Sequence, residues 1–230
     1  MEQLDQVATI IALSMGVAWA SGINLYAAIL MLGLLGSSGN LVLPPDLQVL
    51  TNPLVIFAAG AMYLVEFAAD KVPGVDNSWD TLHTFIRIPA GAMLAAGAVG
   101  EMDPAVSLAA AIVGGGLAAG AHATKAGSRV LINASPEPFT NWMASLTEDV
   151  LVIAGLWTAL HYPLLFIVLL LLFVIFMVWV LPKIWRGVKL VFTALISFLK
   201  GGGRKGPPGP PDLKMPKSFP ELPGNSGNGG

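Results

Sequence analysis

Asp80, His83 and Arg87 stand at i, i+3 and i+7, and His122, Lys125 and Arg129 repeat the same spacing further along the chain. At the period of an α-helix each set falls on one face. Glu66 with Asp70, and Asn141, Ser145, Glu148 and Asp149, make two more faces of this kind, all flanked by long Ala, Leu, Val and Gly runs. Carboxylates, imidazoles and amines gathered in a dry environment can relay protons or ligate a hard cation through oxygen. A charge facing hydrocarbon costs roughly 2.5–3.5 kcal/mol on insertion scales, so the four faces are expected to turn toward one shared polar interior.

The residues assigned to a substrate or ion pathway are Asn24, Glu66, Asp70, His83, Arg87, His122, Lys125, Arg129, Glu148 and Asp149. No catalytic residue and no cofactor is assigned, and whether a metal is held is left open. Counting at ~1.5 Å per residue puts Arg87 about 13 Å and Glu148 about 15 Å into their helices from one end, near the midplane of a bilayer. The ion pair expected there is Arg87 with Glu148 or Asp149. Lys71, Asp76, Asp80, Lys125, Arg129 and Glu137 fall near the helix ends, where long side chains reach water easily, and each taken alone reads as a loop charge. Asn77, Ser78, Asn133 and Ser135 beside them read as helix caps.

These side chains need elements to hold them, and the composition says which kind. A mean hydropathy of +0.72, with 55% hydrophobic and 11% charged residues, excludes an ordinary soluble domain, whose charged share would be about 25%. The fold class expected is all-α, a polytopic membrane protein. There is no cysteine, which excludes disulfides, thiolate metal sites and cysteine nucleophiles. Six apolar segments reach the length of about 20 residues that a span requires: 7–36, 53–71, 78–99, 104–124, 139–160 and 163–181. Pro53, Pro104 and Pro163 stand at helix starts, where a missing N–H costs nothing. Segment 7–36 is too long for one span, with Ser21-Gly22-Ile23-Asn24 at its middle, so it is either a long tilted helix or a broken one. Its acidic first residues, Glu2 and Asp5, do not suit a signal peptide, and it is read as retained.

Loops 39–52, 100–103 and 161–162 carry no Lys or Arg, whereas Lys71, Lys125, Arg129 and the region after Leu181 do. The positive-inside rule then predicts a multi-pass protein of the inner cell membrane with both termini cytoplasmic. Segment 163–181 has no polar side chain and should lie at the periphery against lipid. Pro182 is expected to end it. Residues 182–200 mix Trp185, Val188 and Phe192 with Lys183, Arg186 and Lys189, which reads as a basic amphipathic interfacial helix, and the Pro/Gly-rich stretch 201–230 reads as disordered. Residues 1–181 form the membrane domain. Gly116 and Gly120, with Gly114, Gly115 and Ala118, permit close helix approach.

Residues 53–99 and 104–160 each form a helical hairpin, and aligning Lys71 with Lys125 and Ser78-Trp79-Asp80 with Ser135-Pro136-Glu137 needs one short gap, the mark of a duplicated hairpin. The run Gly22-Ile23-Asn24-Leu25-Tyr26, Glu66 with Ala69-Asp70-Lys71-Val72-Pro73 and Asp76, Thr84-Phe85-Ile86-Arg87 before Pro89-Ala90-Gly91-Ala92, His122 with Lys125-Ala126 and Arg129, and Asn133-Ala134-Ser135-Pro136-Glu137-Pro138 with Ser145 and Glu148-Asp149 form an ordered pattern. In order and spacing it resembles the bacterial integral-membrane family labelled domain of unknown function four-one-two-six, over about residues 20–160, with Ile88 between Arg87 and Pro89 as a departure. The resemblance implies a helical membrane fold and brings no substrate or reaction with it.

The function expected is a transporter or channel for a small polar or ionic solute through a cytoplasm-facing polar cavity. Two other classes compete: a scaffold or assembly factor working through the basic helix and tail, and an intramembrane enzyme acting on a lipid head group with Asp70, Asp76, Asp80, His83, Lys125 and Arg129. No zinc-protease, nucleophile-elbow or P-loop motif is present, so the expectation is a protein that is not an enzyme. The partners expected are the lipid bilayer and the solute, with no nucleic acid, and a homo-oligomer is compatible with the sequence.

Overall fold

A computed structural model describes residues 2–72, 74–134 and 138–199. The described residues are helical with no strand: α1 (Glu2–Ser37), a 3-10 helix (Pro45–Thr51), α2 (Pro53–Ala69), α3 (Val75–Ala98), α4 (Pro104–Asn133), α5 (Pro138–His161) and α6 (Pro163–Leu199). Residues 1–193 form one compact unit. The expected disordered stretch 201–230, like Ser135 and Glu137, lies outside the described residues.

The helix starts follow local chemistry. The Asn52 side chain accepts from Leu54 N at 2.9 Å, the Asp103 side chain accepts from Ala105 N at 2.7 Å, and Pro53 and Pro104 occupy the first positions of α2 and α4. At the start of α3 the φ of +88° at Gly74 is one a side chain would oppose.

α1 is broken at Asn24, whose φ of −144° and ψ of 95° are extended, and its two arms, residues 2–23 and 25–37, double back on each other. Ser14 donates to the Ala95 carbonyl at 2.8 Å, Gly22 lies against Ala118 and Lys125 reaches the Ile23 carbonyl, so the first arm descends α3 and runs alongside α4. Beyond Asn24 the chain climbs again: Leu30 lies over Gly60 of α2, Gly33 against the Leu50 carbonyl, and Gly36 against Leu43, while Leu47 sits on Gly97 near the far end of α3. Asp5, Ala8 and Thr9 at the start of α1 share a surface cavity with His161, Tyr162 and Pro163. The start of α1 and the α5–α6 turn are therefore at one end of the bundle.

The first turn of α1 lies at the other end of the bundle from the basic stretch of α6, where Ile184 packs on Gly127 and Leu131 on Gly187. Four described helices, α1, α4, α5 and α6, are long and apolar enough to cross a membrane, and the 3-10 helix with α2, bent by 68°, makes a fifth. α3 has the length but carries Asp76, Asp80 and Arg87.

The helices are polar inside and apolar outside. On α3, Asp76, Asp80, His83, Arg87 and Gly91 are buried while Leu82, Phe85, Ile86 and Met93 are exposed. α4 likewise buries His122, Lys125 and Arg129 and exposes Leu108, Ile112 and Val113. α6 is peripheral as expected, touching the bundle along one line: Phe166 and Phe173 edge-on to Trp19 at 6.2 and 5.9 Å, and Met177 over Gly120. It does not end at Pro182. The helix continues to Leu199, because a proline removes one backbone hydrogen bond and kinks a helix that has neighbours or good propensity on both sides. The interfacial segment expected at 182–200 is thus the second half of α6, with Lys183 and Lys189 placed over Trp179 and Trp185.

Of the small residues expected to permit close helix approach, Gly114 lies against Ala95, Gly120 against Met177 and Ala118 against Gly22 and Gly91. Gly116 faces open space, whereas a Cβ on Gly22 would fall on the Ala118 carbonyl and 2.8 Å from Ala121 Cβ. Gly22→Val should therefore separate α1 from α4 and destabilise the fold by about 1–3 kcal/mol, read as a lower melting temperature in detergent. Gly116→Val at the open position is the control and should leave melting unchanged.

Candidate functional site

The break in α1 lies on a cluster of ionisable side chains drawn from α2, α3, α4 and α5. Asn24 is buried and works in both directions: its Oδ1 accepts from Ala27 N at 2.9 Å, capping the second arm, and its Nδ2 donates to Asp149 Oδ1 at 2.9 Å. The amide side chain thus ties the bend to α5 and satisfies one of the backbone donors that breaking the helix releases. Tyr63 of α2 faces the same Asp149.

Below the bend the cations bridge between helices. Arg87 of α3 pairs with Glu66 of α2 through Nη2 and with Asp80 Oδ1, one helical face below, at 3.1 Å. Its Nη1 is also 3.3 Å from His122 Nδ1, whose Nε2 meets Thr84 Oγ1 at 2.8 Å. Lys125 of α4 donates to Glu66 Oε1 at 3.1 Å, Asp70 Oδ2 at 3.0 Å and the Ile23 carbonyl at 3.1 Å. Arg129, one turn on, grips Glu148 of α5 with two bonds, Nε to Oε1 at 3.1 Å and Nη2 to Oε2 at 2.6 Å, and its Nη1 donates to the carbonyl of Asp70 at 3.1 Å and to Asn141 Oδ1 at 2.5 Å. Glu66, Arg87 and Arg129 have no exposed surface and Lys125 only 4%. Charges this deep are held by mutual pairing and by hydrogen bonds to what remains of their capacity.

Nine of the ten residues assigned from sequence are brought together here. His83 is the tenth and sits to one side, with Nε2 3.0 Å from Tyr26 Oη, Nδ1 2.9 Å from the Trp79 carbonyl, and its ring stacked on Trp79. Two expectations need correction. Arg87 does not pair with Glu148 or Asp149: counting along helices fixes depth but not direction, and Arg87 points to α2 while Glu148 belongs to Arg129 and Asp149 to Asn24. Nor are Asp76, Asp80, Lys125 and Arg129 loop charges, since all four are buried inside the bundle. Lys71 does behave as a boundary residue, donating to the Phe67 carbonyl at 3.0 Å with its ammonium over the Phe67 ring.

Asn133 is not a cap but donates to both oxygens of Asp76, at 2.8 and 2.7 Å, locking the end of α4 to the start of α3. Asp76 in turn accepts from Gly74 N and Asn77 N, so its carboxylate takes four hydrogen bonds from three donors. Asp80, Asn141 and Tyr63 belong to the site although sequence reasoning did not assign them to it. Asp80 is found by its seven-residue spacing from Arg87 and Asn141 by the same spacing from Glu148; nothing in the sequence marks Tyr63.

The model of a family described as Domain of unknown function (DUF4126) matches residues 11–183, a span that takes in the bend and every side chain of the ionic cluster. No curated protein and no solved structure matches the chain. With three quarters of its length under that one match, the chain belongs to the DUF4126 family.

Proposed function

We propose that the chain is a transporter or channel for a small polar or ionic solute, carried through the ionic cluster from a cytoplasm-facing side. The observation that supports this reading is the bend at Asn24. It brings two helix ends, the carbonyl end of one arm and the amide end of the other, onto charged side chains deep within an apolar bundle. Interrupted helices whose ends meet polar groups at depth are the pattern by which membrane transporters bind solutes and coupling ions. Structural glue alone would not call for a broken backbone at that level.

Charge asymmetry supports the orientation. The end holding Asp5, the loop 38–52, residues 100–103 and Tyr162 has no Lys or Arg, and the opposite end has Lys71, Lys183, Arg186 and Lys189. On the positive-inside rule the start of α1 is outside and the basic stretch of α6 is in the cytoplasm, in the inner membrane of the cell. Buried Leu43, Leu47 and Leu50 then form an apolar stopper over the outer notch of α1.

Sealed vesicles containing the purified protein test the proposal with three tracers, rubidium, methylammonium and chloride. At least one should enter faster than into empty vesicles. Glu66→Gln, which keeps the shape but weakens the bonds to Arg87 and Lys125, should change that rate by roughly tenfold, the scale of one charge-assisted hydrogen bond. Flux equal to empty vesicles for all three, or indifferent to Glu66→Gln in a folded protein, would remove the reading.

A further inference from the structure

Lys125 occupies the position of an ion. Five oxygens surround its ammonium: Glu66 Oε1 at 3.1 Å, Asp70 Oδ2 at 3.0 Å, the Ile23 carbonyl at 3.1 Å, Glu148 Oε2 at 3.5 Å and Asp80 Oδ1 at 3.9 Å. An ammonium has three hydrogens, so it bonds the first three and leaves the other two at electrostatic distance. A spherical cation has no such limit. The Ile23 carbonyl also belongs to the last turn before the break, the negative end of its helix. Carboxylates joined by a carbonyl from an interrupted helix are a donor set that membrane transporters use for monovalent cations.

Two independent features show that the cage has room for more positive charge than it holds. Among the described residues five carboxylates, Glu66, Asp70, Asp80, Glu148 and Asp149, gather with the cations Arg87, Lys125 and Arg129, and Lys71 acts on Asp70 and Asp149 from the boundary. Oxygens are also left over: Glu66 Oε2, Asp70 Oδ1, Asp80 Oδ2 and Ser145 Oγ have no hydrogen-bond partner, in residues between 0 and 3% exposed. Ser145 lies one turn from both Asn141 and Glu148, on the face of α5 that meets the cluster. The group that fills the cage, the Lys125 ammonium, carries a single positive charge, so a ligand that takes its place is a singly charged cation.

We infer that the oxygens around Lys125 form a binding site for a small monovalent cation, an alkali-metal ion or a primary ammonium, and that the Lys125 side chain is its tethered occupant. This rests on the transport reading and names the class of solute or coupling ion. The cation enters as Lys125 withdraws, so the two alternate in one cage.

Lys125→Ala tests it. In detergent at constant ionic strength, with N-methylglucamine as the inert replacement, the melting temperature of the variant should rise by about 5 °C as sodium or methylammonium reaches roughly ten times its Kd. Tetramethylammonium, too large for the cage, should give no rise, and Glu66→Gln added to Lys125→Ala should abolish it. Insensitivity of Lys125→Ala to both small cations, or an equal rise with tetramethylammonium, overturns the inference. Where Lys125→Ala does not accumulate, Asp70→Asn/Lys125→Ala, which removes one charge of each sign, is measured in the same way, and a rise or its absence carries the same meaning. Failure of both variants to fold in saturating sodium also counts against it, because a cage open to free cations would then be filled. Melting reads occupancy without flux. A shift without transport discards the transport reading alone, and transport without a shift discards the cation cage alone.

Discussion

Arg129→Met is expected to lower the unfolding free energy by about 3–5 kcal/mol, the range for removing one partner from a buried ionic pair. Arg129 is the most connected side chain of the cluster: it joins α4 to both carboxylate oxygens of Glu148, to Asn141 on α5, and to the Asp70 carbonyl after α2. Methionine fills a similar volume, so the loss comes from polar groups left without a partner more than from a cavity. Asp70 O keeps one donor, Asn141 Nδ2 at 3.1 Å, and the Glu148 side chain is 15% exposed, which places the cost toward the lower half of that range. Arg129→Met/Glu148→Leu should recover a large part of the loss, since the stranded charge is then gone. Denaturant titration in detergent reads both values; a single variant as stable as wild type would show that the pair contributes nothing.

Asn24→Ala carries the second large effect. It removes the cap on Ala27 N and the donor to Asp149, worth about 1 kcal/mol and about 1–3 kcal/mol respectively. Asn24→Asp separates the two roles, because its oxygen can still cap the second arm while its charge opposes Asp149. The expected order of stability is wild type, then alanine, with aspartate no better than alanine. Aspartate at wild-type stability would mean that the bond to Asp149 is unimportant and that the cap alone holds the bend.

Sequence periodicity identified the inward faces because a membrane inverts the usual rule: with lipid outside, the polar stripe must be the buried one. Asp80, His83 and Arg87 fell on one face, and that face is buried. Direction was harder to read. The stretch Ser21–Asn24 has the same composition whether the helix is straight or doubled back, and only contacts such as Leu30 with Gly60 and Leu47 with Gly97 decide it. The membership of the family was legible from the ordered motifs around Asn24, Arg87 and Glu148.

Burial of Lys125 and Arg129 was hidden for another reason. The apolar run of α4 stops at Thr124, but the helix continues to Asn133, ~14 Å further at 1.5 Å per residue, so charges that look like loop residues lie inside the bundle. Helix ends in this chain are set by partners for polar side chains, here Asn133 with Asp76, and not by where hydrophobicity falls off. Pro182 misled in a similar way, since a proline's local cost does not stop a helix whose flanks both favour it.

Site and function alike depend on α1 entering from one end of the bundle and turning back at Asn24 onto the ionic cluster. The absence of native cysteine makes this directly measurable. Single variants Asp5→Cys, Tyr162→Cys and Lys189→Cys, each in sealed vesicles of known orientation, are treated with a membrane-impermeant maleimide. The predicted result is labelling of Asp5→Cys and Tyr162→Cys from one side and of Lys189→Cys from the other. Labelling of Asp5→Cys from the same side as Lys189→Cys, with Tyr162→Cys opposite, would mean that α1 crosses without turning, and would contradict the bend on which the site is built.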